Sequence, residues 1–484
     1  MSNIARELKL LRGSWFIKND DNWQEVDLED AYSSGFVEKI NSHAYSKPSS
    51  DYVNELFLYY FIKCSELKQT IGEVCQSSYS WNSKLTDKGI LFRLKKELGF
   101  DVRIFKTILF YLQSLATFCL SVLMSIFVAA VLPFIFFIKM SGKCHVSKSS
   151  LRLRKKIFLV RSKSGYFRAK GFIAEDADCF VLVDNFSGLK VPGESIYSVL
   201  RSASFPRIYI KTLQYTFRDL FLFYKDAKML LGTWFAMSVS WEYWKRIPQK
   251  ALYEACLMKV LELAPANAEV FSGEKEDRFA LLQTRCCARK DIRLTCLPHG
   301  LEYGFRFPGG LCGDSFYCFS ENAKEILGLM YSSGKFLFSN DVLNKMLGIN
   351  TDSGEGAIER VCFFTEPRDQ HVNFEIIDNL VEMNIRLSIK LHPLESQKIY
   401  HDRYPGIEIV SDLQNALSSS TCLSRKSTVL VEASQSGKRT LAILINKKDR
   451  FYVEHLFPSL SSKKILKIFN FEDLGQALVP NNDG

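Results

Sequence analysis

At 484 residues, 47% apolar and 24% charged, the chain is long enough for two or three packed domains and too apolar to be disordered. Its 63 basic and 53 acidic residues leave a formal charge of +10, which suits nucleic acid, an anionic membrane or an anionic substrate. The 13 cysteines are scattered without a CxxC pair, which excludes zinc-ribbon spacing and points to a reducing compartment.

The opening MSNIARELKLLRGSW lacks an apolar core run, so no cleavable signal peptide is expected. Residues 1–103 read as a helical accessory domain, with Asn54 to Cys75 the clearest amphipathic run and no catalytic constellation. From Thr107 to Ile138 there are 32 consecutive residues without a charge. As a helix that run would be about 48 Å long, against a hydrocarbon core of about 30 Å. Residues 104–139 are therefore expected to be a membrane segment, either a tilted span or a re-entrant hairpin bent near Pro133. Five basic residues and two acids precede it between Arg93 and Lys106, and eleven basic residues with no acid lie between Lys139 and Lys170. Residues 140–155 read as a basic linker facing anionic lipid, and the positive-inside tendency places the C-terminal part on the cytoplasmic side.

Beyond the linker, Lys156 to Ser162 and Cys179 to Asn185 read as strands, followed by a helical region from Ile208 to about Leu263. That region holds Trp234, Trp241 and Trp244 close together, on a core or membrane-facing helix. From Ala268 strand and helix alternate: AEVFSG, a helix, IRLTCLPHG, DSFYCFS, a helix and KFLFSND. After the polar stretch Gly348 to Gly356 a second series runs through RVCFFTEP, RLSIKLHP, GIEIVSD, TCLS and TLAILIN, with helices between. Such alternation implies two parallel sheets with crossover helices, an α/β pair of Rossmann-type lobes over 156–350 and 357–484.

The motifs fall at strand ends. LSIKLHP places Lys390, His392 and Pro393 beyond a strand, and roughly 35 residues later SRKSTVLVEA places Ser427 and Thr428 at a helix start with Glu432 one turn on. A hydroxyl pair at a helix start is a seat for phosphate, or simply an N-cap. His392 could donate to a phosphate or ribose oxygen. In the first series, SGEKED carries Glu274, Glu276 and Asp277 at a strand end, where acids also suit a helix N-terminal dipole. PHG ends the next strand with His299.

The strand-end KxHP followed by a strand–helix unit opening Ser-Thr and continuing to Glu-Ala resembles the nucleotide-binding half of bacterial surface and capsular polysaccharide glycosyltransferases of the GT-B fold. The likeness is closest to the sialyltransferase and polysialyltransferase type, over residues 358 to 450. It implies a membrane-associated, metal-independent, inverting transferase with no cofactor beyond its nucleotide-sugar donor, a CMP-linked acidic sugar in that type. It implies that 357–484 is the donor lobe, with Lys390, His392, Pro393, Ser427, Thr428 and Glu432 binding the nucleotide. The lobe at 156–350 would be the acceptor side, with Glu274 as first choice of catalytic base and Asp277 as second. That family's acidic motif ends in glycine, whereas here Gly273 precedes the acids. His299 could act as base, hold the acceptor or touch the donor phosphate. The acceptor would be a glycolipid or growing polysaccharide, at the inner membrane of a bacterium with the lobes facing the cytoplasm. Anionic lipids and other polysaccharide-assembly proteins are the remaining expected partners. A CDP-alcohol polyol-phosphate transferase and a non-catalytic membrane scaffold are the alternatives.

Other functions lack their signals. SQSGKRT misses the glycine and Gly-Lys-Ser/Thr order of a phosphate loop, and GxGxxG, GxSxG and HExxH are absent. The basic run lacks interleaved stacking aromatics, so nucleic acid is not expected as a partner.

Overall fold

In the computed structural model the described residues are 50–58, 104–140, 154–175, 178–349 and 358–478, with the backbone of three N-terminal strands. Those strands, β1 (Glu7–Leu8), β2 (Phe16–Asn19) and β3 (Asn22–Glu25), pair antiparallel in chain order. The opening of the chain thus adds a small sheet to the helical reading of residues 1–103. Residues 53–58 form helix α1; the rest of the expected amphipathic run and positions 141–153 of the basic linker lie outside the described residues. Helix α2 (Ile104–Lys139) runs uninterrupted through Pro133, so the two half-helices considered for a hairpin are one helix.

Two compact units result. One comprises Asp30–His299 with Arg306–Tyr317, the other Met1–Glu29, Gly300–Phe305 and Cys318–Gly484. By compactness the division falls after Tyr317, although the strand Phe336–Leu337 belongs to the first sheet, as the 156–350 reading has it. Residues beyond that point bond to the second unit's own elements: Asn322 Nδ2 donates to the Pro458 carbonyl (2.9 Å), and Gln435 Nε2 donates to Asn340 and Asn344 (3.1 and 3.0 Å).

In the first unit the chain runs β4 (Lys156–Val160), α3 (Lys163–Glu175), β5 (Cys179–Val183), β6 (Glu194–Ser195), α4 (Phe205–Leu231), α5 (Thr233–Val239), α6 (Arg246–Leu263), β7 (Glu269–Ser272), α7 (Arg278–Ala288), β8 (Arg293–Cys296) and β9 (Ser315–Tyr317). With Phe336–Leu337 as an edge strand beyond β9, the strands form a seven-stranded sheet, in which the neighbours along β9-β8-β7-β4-β5-β6 pair parallel. β4 is apolar at four of its five positions because a central parallel strand is covered on both faces. α6 is buried nearly all round and forms the helical core.

The second unit continues with α8 (Glu321–Tyr331), β10 (Phe336–Leu337), α9 (Asn340–Leu347), β11 (Ile358–Phe364), α10 (Gln370–Glu382), β12 (Leu387–Lys390), α11 (Gln397–Arg403), β13 (Glu408–Ile409), α12 (Leu413–Leu417), β14 (Ser419–Ser424), α13 (Val429–Gln435), β15 (Arg439–Ile443), α14 (Lys447–Phe451), β16 (Leu466–Ile468) and α15 (Phe471–Leu478). Its parallel sheet has the order β13-β12-β11-β14-β15-β16. Alternate β11 side chains enter different cores, Phe363 with Ile389 and Leu423 on one face and Cys362 and Phe364 with Cys422 on the other. Numbered along its own sheet, the second has the doubly wound order 3-2-1-4-5-6, and the first has the same order with β10 as a seventh strand at the β9 edge. The α/β class with two parallel sheets is therefore as the sequence predicts.

Candidate functional site

In an open doubly wound sheet, ligands sit beyond the carboxyl ends of the strands where the strand order reverses. The reversal lies between β4 and β7 in the first unit and between β11 and β14 in the second. Every candidate site residue falls on or beside one of these two reversals.

In the first unit the centre is a residue the sequence reading passed over. Arg161 directly follows β4; its Nε lies 2.9 Å from Asp184 Oδ2 and its Nη1 3.2 Å from Asp277 Oδ2 and 3.7 Å from Glu274 Oε2. The guanidinium also lies 3.2 Å from the Phe279 ring centroid. Burial works against the arginine's charge, but Glu274, Asp184 and Asp277 together hold its pKa above the ordinary value. Asp184 is held in turn by the Tyr197 hydroxyl (2.9 Å).

Glu274 and Asp277 are brought together but differ in engagement. Asp277 caps α7, its Oδ1 accepting from the Phe279 and Ala280 amides (2.9 and 2.8 Å) while Oδ2 faces Arg161. Burial first, then the charge of Glu274, raises its pKa despite Arg161. Glu274 is buried, and its amide donates to Ser272 Oγ (3.1 Å) while its carbonyl accepts from the Cys296 thiol (3.2 Å). His299 joins them from the end of β8, with Nδ1 2.6 Å from the Gly273 carbonyl. A carbonyl can only accept, so Nδ1 carries the proton there and Nε2 is left as the acceptor. Glycine at 273 allows a close approach: a Cβ would stand 3.2 Å from the Gly165 Cα in the first turn of α3, tight enough that the backbone would have to give.

The N-terminal segment supports this loop. Asn54 Nδ2 donates to the carbonyls of Glu276 (2.8 Å) and Gly310 (2.9 Å), its Oδ1 accepts from the Gly309 amide (2.7 Å), and Glu55 pairs with Arg278 at 2.7 Å. The same segment is tied down by Asp51, 2.6 Å from both Lys250 and Arg285.

In the second unit, strands β12 and β14 flank β11, so the turns after Lys390 and Ser424 lie on either side of the Thr365–Asp369 loop. The His392 amide donates to Thr365 Oγ1 and Glu395 Oε2 (3.1 Å each), and the Thr365 hydroxyl bonds that same carboxylate oxygen. His392 Nδ1 accepts from the Leu394 amide (3.2 Å), so the neutral ring carries its proton on Nε2. Burial, then Arg368 and Lys390, push the His392 pKa down to about 4. His392 is therefore a neutral donor beside two cations. Pro393 is exposed in the turn that the Glu395 amide closes onto the His392 carbonyl (2.9 Å).

Behind this surface lies a buried frame. Tyr400 donates to Glu395 Oε1 (2.5 Å), and burial raises the Glu395 pKa. Arg425, fully buried, donates to both oxygens of Asp449 (2.5 and 3.1 Å) and to the Arg368 carbonyl (2.7 Å), tying the β14 turn to the β11 loop. Lys426 bonds Asp449 as well. Burial would raise Asp449, but Lys426 and Arg425 outweigh it and bring its pKa down to about 2. Asp369 closes the loop in a left-handed conformation, φ +50°, uncommon for a residue with a side chain.

Ser427, Thr428 and Glu432 stand at the start of α13 as expected. The Ser427 hydroxyl accepts from the Val429 amide at 3.4 Å, Thr428 occupies the N-cap without a side-chain cap bond, and Glu432 lies in the first turn. α13 has seven residues, two turns, so its dipole is modest.

No protein-family model and no curated protein matches the chain. Among solved structures it is similar to a UDP-GlcNAc 2-epimerase from Neisseria meningitidis bound to UDP-GlcNAc, at 11% identity over 66% of this chain and 89% of that one, with TM-score 0.39. A putative UDP-N-acetylglucosamine 2-epimerase from Listeria monocytogenes matches at 11% identity over 67% and 86%, with TM-score 0.34. An E. coli heptosyltransferase with ADP matches at 10% identity over 67% and 98%, with TM-score 0.30. Likenesses at these scores carry no argument about this chain's chemistry; the strand orders and the residues at the reversals do.

Proposed function

We propose that the chain is a membrane-associated glycosyltransferase of the GT-B type, moving a sugar from a nucleotide donor to a lipid-linked or growing surface polysaccharide. The observation that carries this reading is the cationic strand-end cluster of the second unit. Arg368 and Lys390 raise the local potential, His392 Nε2–H is a fixed neutral donor, and the Ser427 and Thr428 hydroxyls stand beyond the neighbouring strand end. That set suits the phosphate and ribose oxygens of a nucleotide. The sialyltransferase-type resemblance of residues 358 to 450 narrows the proposed donor to a CMP-linked acidic sugar and the proposed setting to the cytoplasmic face of a bacterial inner membrane.

In the proposed reaction Glu274 takes the proton of an acceptor hydroxyl, whose oxygen forms a bond to the anomeric carbon on one face. The bond from that carbon to the nucleotide phosphate breaks with its electron pair on the phosphate, and configuration inverts. His392 and the nearby cations stabilise the charge on the departing nucleotide. Glu274 is preferred to Asp277 because capping α7 already occupies Asp277 Oδ1. His299, through Nε2, is positioned to hold the acceptor hydroxyl. No cofactor or metal enters these steps.

Thermal-shift screening with CMP, CDP, UDP and GDP, followed by hydrolysis and transfer assays on the matching donors, tests the proposal. Stabilisation by one nucleotide and turnover of its sugar are expected. A CDP-alcohol turned over in place of a sugar would move the chain to polyol-phosphate transfer. Binding of none, and turnover of none, would leave a scaffold.

A further inference from the structure

The apolar helix α2 is built inside out for a soluble protein. Small and polar residues line the middle of the inward face, where Ser114, Ser121, Ser125 and Ala129 are fully or almost fully buried, with Phe110, Leu132 and Phe136 buried toward its ends. Large apolar residues point outward, among them Ile108, Leu112, Leu123, Phe127 and Ile138, between 52% and 71% exposed. A core helix places its large side chains the other way round. The outward stripe faces something other than water, and the inward seam resembles the small-residue contacts of helices in lipid.

The inward seam is attached along the helix. Tyr111 stacks on Trp234 (centroids 4.2 Å), Phe118 meets Tyr224 (5.2 Å), Ser125 Oγ donates to the Trp244 carbonyl (3.1 Å) and Phe134 meets Phe205 and Tyr209 (5.3 and 5.2 Å). The pairs 118–224 and 134–209 make α2 and α4 antiparallel neighbours over sixteen residues of α2, about 24 Å of helix. α4 carries Arg207, Lys211, Arg218, Asp219, Lys225, Asp226 and Lys228, so it cannot enter a hydrocarbon core beside α2. Its acids point inward: Asp219 receives Lys250 at 2.6 Å and Asp226 receives the Ser50 amide at 2.7 Å. The outward face of α4 reads Arg207, Ile210, Phe217, Phe221, Lys225 and Lys228, an apolar centre between cations. Trp234 and Trp241 are partly exposed nearby on the chain, and Lys139 ends α2.

We propose that α2 does not cross the bilayer but lies in the plane of one leaflet, with α4 beside it. The outward stripe of α2 and the Phe217–Phe221 face of α4 enter the headgroup–acyl boundary, while the α4 cations meet anionic headgroups. The occupant of the apolar face is lipid, because Lys225 and Lys228 border it at one end and Arg207, which also reaches Glu262 (3.8 Å), borders it at the other. Both ends of α2 then stay on one side. This rests on the membrane association proposed above and is independent of the transferase chemistry.

The test places a nitroxide label at Leu112→Cys, Leu123→Cys or Ile138→Cys in the full chain, with the parent chain labelled alongside as blank, and reads depth in phosphatidylglycerol–phosphatidylcholine vesicles. In-plane attachment predicts three similar shallow depths, about 5–10 Å into the boundary. A depth near 15 Å at Leu123 alone, with shallow values at the other two, would be a span or hairpin and would overturn the proposal while leaving membrane association standing. Water-exposed labels at all three sites with vesicles present would overturn both. Spin–spin broadening without lipid would assign the face to a second copy and overturn the lipid assignment. As a second arm, Phe217→Glu with Phe221→Glu, both on the exposed face, should lower partitioning to vesicles at least tenfold; a spanning α2 would stay in the membrane fraction.

Discussion

The two units share one strand order and use it oppositely. At the reversal of the first sheet, one arginine faces three carboxylates, an excess of acid in which Glu274, 3.7 Å away, lacks the capping role of Asp277. At the reversal of the second sheet, the closed pair Arg425–Asp449 is drawn back into the core, and the surface shows Arg368, Lys390 and a neutral histidine. Topology therefore selects the place of the proposed site, and the charges that stand around it bear on its ligand. On the proposed reading, an anion belongs at the second reversal and a hydroxyl awaiting deprotonation at the first.

The largest effect expected from breaking this contrast is structural. Arg425→Met removes one partner of a buried pair and should cost about 3–5 kcal/mol in chemical denaturation. A loss below about 1 kcal/mol would show that the pair does not organise the second reversal. Next in size, Glu274→Gln should lower transfer at least about a hundredfold while nucleotide affinity stays unchanged. If Asp277→Asn gives the larger rate loss with the fold intact, the base has been misassigned between the two carboxylates. His392→Ala should weaken nucleotide binding by about tenfold, the loss of one hydrogen bond to a charged group, with rate at saturation less affected. Equal affinity for both proteins would remove His392 from the donor site.

The smallest effect is in pH. The folded His392 pKa, about 4, is below the value near 6.5 of an unfolded chain. Between these values the unfolded state binds more protons, so this group's contribution to stability falls as pH falls from 6.5 toward 4. His392→Gln should remove part of that slope in a melting series over the same window. An unchanged slope would show that the ring is not held neutral.

Much of this contrast was legible in the residues. Strand-end motifs and alternation located both sheets, because parallel strands covered on both faces must be nearly continuous apolar runs and are easily separated from amphipathic helices. KxHP and Ser-Thr pointed to the second reversal, although the frame behind it, Arg425 and Asp449, was hidden because its partners are 24 residues apart. Arg161 was missed for a different reason. It sits among eleven basic residues that read as a membrane flank, yet Lys156 to Lys170 belong to β4, α3 and the turn between them, and Arg161 is buried among acids. Charge along a sequence does not tell which cations meet lipid and which meet a carboxylate 23 or 116 residues later. Around the boundary near 350 the signals divide: the strand Phe336–Leu337 joins the first sheet, as a linker after it implies, while the bonds of Asn322, Asn340 and Asn344 lie with the second unit.

The central claim is that the second reversal holds a nucleotide phosphate. Amide hydrogen exchange of the full chain, with and without the nucleotide that stabilises it most, addresses this directly. Slower exchange confined to the Thr365–Asp369 loop, Leu391–Glu395 and Ser427–Val431 is the predicted result. Protection elsewhere, with those three segments unchanged, would contradict it.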